Sequence, residues 1–120
     1  TASRRRLHDS GIVSLAVAPG GKTIASHAAN GELQLSPMNA DSEGKILDRA
    51  AAGNNNLAFS ADGKWLLAGG AQGVRVWNTE TGELAHELPN DKHAVQTLAL
   101  SRDGKLIAVG GDDHTVRLWR

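Results

Sequence analysis

The chain repeats itself, and that limits its possible folds more than any other feature. Leu98 to Trp119, LALSRDGKLIAVGGDDHTVRLW, restates Leu57 to Trp77, LAFSADGKWLLAGGAQGVRVW. Asp62-Gly63-Lys64 returns as Asp103-Gly104-Lys105 at a separation of 41, and Val76-Trp77 returns as Leu118-Trp119 at 42. A third, eroded copy lies upstream. It runs through Leu15-Ala16-Val17, the turn Pro19-Gly20-Gly21-Lys22, then Thr23-Ile24-Ala25 and Leu33-Gln34-Leu35. Three copies at this period imply a repeat architecture, in which each unit covers the apolar face of its neighbour.

Within each copy the apolar residues alternate, and glycine-containing turns separate the runs. That spacing of two, broken by glycines, excludes helical repeats. Ala18-Pro19-Gly20-Gly21, Ala29-Asn30-Gly31 and Glu80-Thr81-Gly82 are turn sequences of the kind that close tight hairpins. Strands are expected over Ile12 to Val17, Thr23 to Ser26, Leu33 to Leu35 and Lys45 to Arg49. The second set is Leu57 to Ser60, Trp65 to Ala68, Val74 to Trp77 and Leu84 to Leu88. The third is Val95 to Leu100, Leu106 to Val109 and Val116 to Trp119. Ala50 to Asn56, AAAGNNN, reads as a loop. A β-sandwich also has short alternating strands, but it gives no reason for the same turn and the same Trp to recur after 41 residues. A β-propeller does. The expected fold class is therefore all-β, with four-stranded antiparallel blades. Residues 8–49 form the first repeat, 50–88 the second and 89–120 the third, and 2–7 form an outer strand that completes a blade.

Composition narrows the function. Thirteen basic and thirteen acidic residues give a net charge of zero, so no nucleic-acid partner is implied. The Arg4-Arg5-Arg6 cluster reads as a solvated strand edge or tail. With no cysteine, disulfides and thiolate chemistry are excluded; a reducing, cytoplasmic location is the expectation. No window is apolar enough for a bilayer-spanning helix, and no apolar stretch follows the basic start as a secretion signal requires. The chain opens on Thr1 rather than Met, which points to a processed chain or an excised piece.

Enzymatic and metal-binding readings find little in the residues. His8, His27, His86, His93 and His114 show no metal-ligand spacing in a shared motif. Asp112-Asp113-His114 has the composition of a carboxylate–imidazole site but falls in a hairpin turn. The Asp-Gly-Lys turns lack the succession of oxygen ligands of a calcium loop, and Gly69-Gly70 and Gly110-Gly111 open no helix, as a phosphate-binding loop would. No catalytic residue, metal site or cofactor is expected.

The turns Ser60-Ala61-Asp62-Gly63-Lys64 and Ser101-Arg102-Asp103-Gly104-Lys105, with the strands Val74-Arg75-Val76-Trp77 and Val116-Arg117-Leu118-Trp119, resemble the WD-repeat family of β-propellers. The resemblance is strong over 57–119 and carried mostly by register over 7–49. It implies a non-enzymatic protein-interaction scaffold. It also implies a structural network joining a His before the blade, a Ser or Thr, an Asp in the second turn and the blade Trp. His8 matches that His, Asp113 matches the Asp, Asn30 stands at the Asp position of the first copy, and Trp77 and Trp119 match the Trp. There are departures. Asp91 stands where the third copy's His belongs, the second copy lacks both His and Asp, and Ser36 replaces the first Trp.

Register places candidate partner contacts at Ser10 in the first copy, Asn54 and Asn55 in the second, and Lys92, His93 and Asp112 in the third. Trp65, which replaces an aliphatic residue, is a candidate surface anchor. Three blades cannot encircle an axis. The expectation is completion by copies of the chain (two giving six blades, three giving nine) or by the remainder of a larger propeller. The alternative function is a self-assembling structural module with no other ligand.

Overall fold

The computed structural model describes residues 8, 10–38, 44–48, 56–70, 73–89 and 94–119. Among these, eleven strands run in order: β1 (Ile12–Val17), β2 (Thr23–Ala28), β3 (Leu33–Pro37), β4 (Lys45–Asp48), β5 (Asn56–Phe59), β6 (Trp65–Gly69), β7 (Gly73–Asn78), β8 (Leu84–Pro89), β9 (Val95–Leu100), β10 (Ile107–Gly111) and β11 (Val116–Trp119). They form three antiparallel meanders, β1-β2-β3-β4, β5-β6-β7-β8 and β9-β10-β11. The strand expected over 2–7 lies outside the described residues. Asn56, expected to end a loop, instead opens β5 opposite Gly69.

Tight turns make these meanders possible. Gly21, Gly31, Gly63, Gly82 and Gly104 all have positive φ, a backbone region that costs other residues steric strain. The Asp-Gly-Lys turn is built identically twice. The Ser60 hydroxyl donates to Asp62 Oδ1 at 2.6 Å, the Lys64 amide donates to the same oxygen at 3.0 Å, and the Trp65 amide donates to Ser60 Oγ at 3.1 Å. Ser101, Asp103, Lys105 and Leu106 repeat this at 2.6, 3.0 and 3.0 Å. The hydroxyl, followed by the amide, holds each aspartate carboxyl below its ordinary range.

Residues directly opposite on neighbouring strands share a sheet face, and successive residues alternate between faces. The middle sheet is therefore two-sided. Leu66 and Trp77, paired across β6–β7, pack with Ala25, Leu33 and Leu35 of the first sheet. Leu67 and Val76, the next pair along, pack with Val95 and Val109 of the third. Two apolar seams result, and the second sheet contributes to both.

Gly69 sets the spacing of the second seam. A Cβ there would lie 2.8 Å from Val95 Cγ1 and 3.3 Å from Leu98 Cδ2, inside ordinary contact distance, so the glycine is a socket for the next sheet. Polar bonds pin the same contact: Val95 N donates to Gly70 O at 2.9 Å, and Asn56 Nδ2 donates to Gln96 O at 2.7 Å. At the first seam, Lys45 Nζ reaches Glu80 O at 3.1 Å.

Gly69→Ala is predicted to cost about 1–3 kcal/mol by overpacking this seam. Combined with Val95→Ala it should cost less than the sum of the two single variants, because the new methyl fills the space the valine leaves. Urea denaturation of the four proteins measures the coupling.

Candidate functional site

The hydrogen bonds between turns define two rims. On the first, Ala29 N donates to Gly11 O, Asn30 N to Ser10 Oγ, and Asp112 N to Ala94 O. The β2–β3 and β10–β11 turns thus sit beside the segments that enter β1 and β9. On the second rim, Met38 N donates to Lys22 O and Thr79 N to Lys64 O, while Thr79 Oγ1 donates to Gly63 O at 2.7 Å. The Asp-Gly-Lys turns belong there.

Of the candidate contacts, Ser10 and Asp112 share the first rim. Asp112 is exposed, and Ser10 is half-buried under its bond from Asn30. Trp65 is not with them: it opens β6 at the second rim, half-buried, with its ring centroid 6.4 Å from that of His86. Asn54, Asn55, Lys92 and His93 lie outside the described residues. His27 is buried. His114 follows Asp112 and Asp113 on the first rim with φ of 69°, a left-handed conformation unusual for a side-chain-bearing residue.

The structural network is present in the first sheet in altered form. His8, its side chain fully buried, meets the Glu32 carboxylate through Nδ1 at 2.8 Å and Ser26 Oγ through Nε2 at 2.7 Å. A carboxylate only accepts, so Nδ1 carries a proton; in the neutral ring Nε2 then accepts from the serine hydroxyl. The acid is therefore Glu32, two residues beyond the expected position. Asn30 serves the turn instead, its Oδ1 accepting the Glu32 amide at 3.1 Å. Ser36, in place of the Trp, accepts a bond from Gln34 Nε2 at 3.1 Å.

In the second sheet the Trp is present but its partner is not. Trp77 Nε1 is buried and has no hydrogen-bond partner among the described residues. The position matching Ser26 is Ala68, by the same offset of 42 that relates Gly21 to Gly63. In the third, Asp113 accepts from the Thr115 amide and hydroxyl at 3.2 and 2.7 Å and pairs with Arg117 at 3.7 Å. Trp119 lies half-buried at the second seam. Arg75 pairs with Glu87 across β7–β8 at 3.3 Å.

The two outermost faces differ from the seams in one decisive respect. Val116 and Leu118 stand 42 residues after Val74 and Val76. The earlier pair is 1% and 7% exposed, and the later pair 71% and 59%. At the other end Leu15 and Val17 are 60% and 61% exposed. Among the described residues no group of three or more His, Cys, Asp or Glu is placed to hold a metal ion.

Ala68→Ser is predicted to give Trp77 Nε1 an acceptor and to raise stability by about 1 kcal/mol. Ala68→Val, which adds bulk without an acceptor, should give no such gain. Urea midpoints of the two variants make the comparison.

Comparison with known proteins agrees with this geometry. The crystal structure of RRP9 WD40 repeats superposes with a TM-score of 0.83 at 22% identity, over 95% of this chain and 36% of that one; the two share a fold. The uncharacterized WD repeat-containing protein sll1491 of Synechocystis sp. is 32% identical over 110 residues, covering 90% of this chain and 31% of that protein. Small ribosomal subunit protein RACK1y of Oryza sativa subsp. japonica is 29% identical over 122 residues, covering 94% and 35%. The chain spans about a third of the length of the curated relatives it matches. The pattern of the WD domain, G-beta repeat, matches residues 55–78 and 82–120, more than half of the sequence. The three sheets are blades of a β-propeller not closed into a ring, and the chain belongs to the WD40 repeat family.

Proposed function

We propose that the chain is a non-enzymatic protein-interaction scaffold, a rigid stack of blades that presents rim turns to protein partners. The observation that carries this reading is the contrast between buried Val74 and Val76 and exposed Val116 and Leu118 at equivalent positions. Apolar rows of this kind at both ends of a stack are surfaces for further protein, either more blades or another chain. Two relatives, from Oryza sativa subsp. japonica and Schizosaccharomyces pombe, are named as small ribosomal subunit proteins, that is, as parts of a larger assembly. The same general role, a component of an assembly, suits this chain.

The first rim is the contact surface. It carries Ser10, Asp112 and the turn residues Asn30 and His114 on short, hydrogen-bonded loops, where binding residues are held by a rigid scaffold. The test is native purification with the bound partner quantified by mass spectrometry. Asp112→Lys should lower the captured partner by about tenfold, equivalent to about 1.4 kcal/mol, while Arg102→Glu on the second rim leaves it unchanged. Capture insensitive to Asp112→Lys but lost with Arg102→Glu would contradict the assignment.

A further inference from the structure

We infer that Asn30 is a modification site: its side-chain amide converts spontaneously to a carboxylate, through attack by the Gly31 backbone nitrogen and then by water. Of the chain's asparagines, Asn30 alone is followed by glycine, the residue that obstructs the attacking nitrogen least.

The step balances without a further reagent. Gly31 N bonds to Asn30 Cγ, the Cγ–Nδ2 bond breaks, and Nδ2 leaves as ammonia with the proton that Gly31 N gives up. A cyclic imide remains. Water opens it at Cγ, which yields aspartate, or at the main-chain carbonyl carbon, which yields isoaspartate.

The rim turn supplies what this chemistry needs. Asn30 is exposed, and the Glu32 amide donates to its Oδ1 at 3.1 Å. That oxygen is where negative charge gathers as Gly31 N adds. Gly31 N itself donates to Ala28 O at 3.0 Å, so attack waits for that bond to open, which costs little in an exposed turn. Three comparable turns each lack one part. At Asn78 the Glu80 and Thr81 amides donate to Oδ1 at 2.9 and 3.1 Å, but the next residue is the β-branched Thr79. Asp62 and Asp103 precede glycines. Their carboxyls are held below the ordinary range by a serine hydroxyl and then a backbone amide, so they stay ionised and resist attack.

The modification reaches a buried group. Glu32, two residues on, holds His8 Nδ1 at 2.8 Å. Aspartate leaves the main chain as it is. Isoaspartate adds a methylene to it between Ala28 and Glu32, and so displaces the carboxylate from the imidazole.

The folded chain is incubated at mildly alkaline pH, digested at intervals under acid conditions, and its peptides are read by mass spectrometry. An isoaspartyl methyltransferase marks the isoaspartate. Conversion should appear first at Asn30, with isoaspartate there and none at Asn78, Asp62 or Asp103 over the same interval. Thr79→Gly should make Asn78 a second converting site. The separated isoaspartyl form should unfold at lower urea than the Asn30→Asp variant, which carries the charge without the added methylene. Any of four results overturns the inference: Asn30 intact when another asparagine has converted, isomerisation of Asp62 or Asp103 as fast as conversion of Asn30, Asn78 intact in a folded Thr79→Gly protein, or equal urea midpoints for the isoaspartyl form and Asn30→Asp. None of these touches the scaffold reading, whose test is the Asp112-dependent capture of a different protein.

Discussion

A β-sheet that is apolar on both faces must be covered on both, and this requirement organises the molecule. In β6 and β7, Leu66 and Trp77 serve one seam while Leu67 and Val76 serve the other. Both faces of β6 and most of β7 are packed, while the outer strand β8 lies largely in solvent. Burying a side chain of this size contributes about 1.5–3 kcal/mol, so the seams, more than the hairpins, hold the stack together. The glycine at 69 lets the third blade approach closely enough for Val95 to complete the contact. Where the stack ends, the same requirement is unmet, and Leu15, Val17, Val116 and Leu118 are left in water.

The seams and the rims divide the work. Side chains at the two seams are committed to packing, while the turns are held by local hydrogen bonds. The Ser-x-Asp-Gly-Lys turn closes its own loop through Ser60 and Asp62, and Thr79 ties the neighbouring turn to it. Rims fixed this way vary in sequence without disturbing the blades, which is the physical basis for placing partner contacts there. The His8–Ser26–Glu32 cluster has the opposite character: a buried imidazole between two polar partners, locking the entry to β1 against the β2–β3 turn.

Much of this was legible in the sequence because a repeat reports itself three times. The spacing of Gly63 and Gly104 fixes the turns, the alternation in VRVW and VRLW fixes the faces, and together they give the strand order. What escaped was whatever depends on one side chain's reach. Asn30 stands in the register of a turn acid, yet Glu32, longer by one methylene, reaches His8 from two residues further on. Asn56 followed two other asparagines and read as loop; its amide in fact crosses the second seam to Gln96. Trp65 follows the Asp-Gly-Lys turn in register with Thr23 and Leu106, but its side chain differs from both, so its ring contact with His86 had no precedent in the other copies. That Trp77 Nε1 has no partner among the described residues was readable in principle, since Ala68 replaces the hydroxyl of Ser26.

Amide hydrogen exchange, followed strand by strand at concentrations too low for copies to associate, tests two-sided coverage most directly. Coverage on both faces predicts the slowest exchange in β6 and β7, with β1 and β11 faster by orders of magnitude because each has one face in water. Exchange in β1 and β11 as slow as in β7 would contradict a stack that ends in open faces.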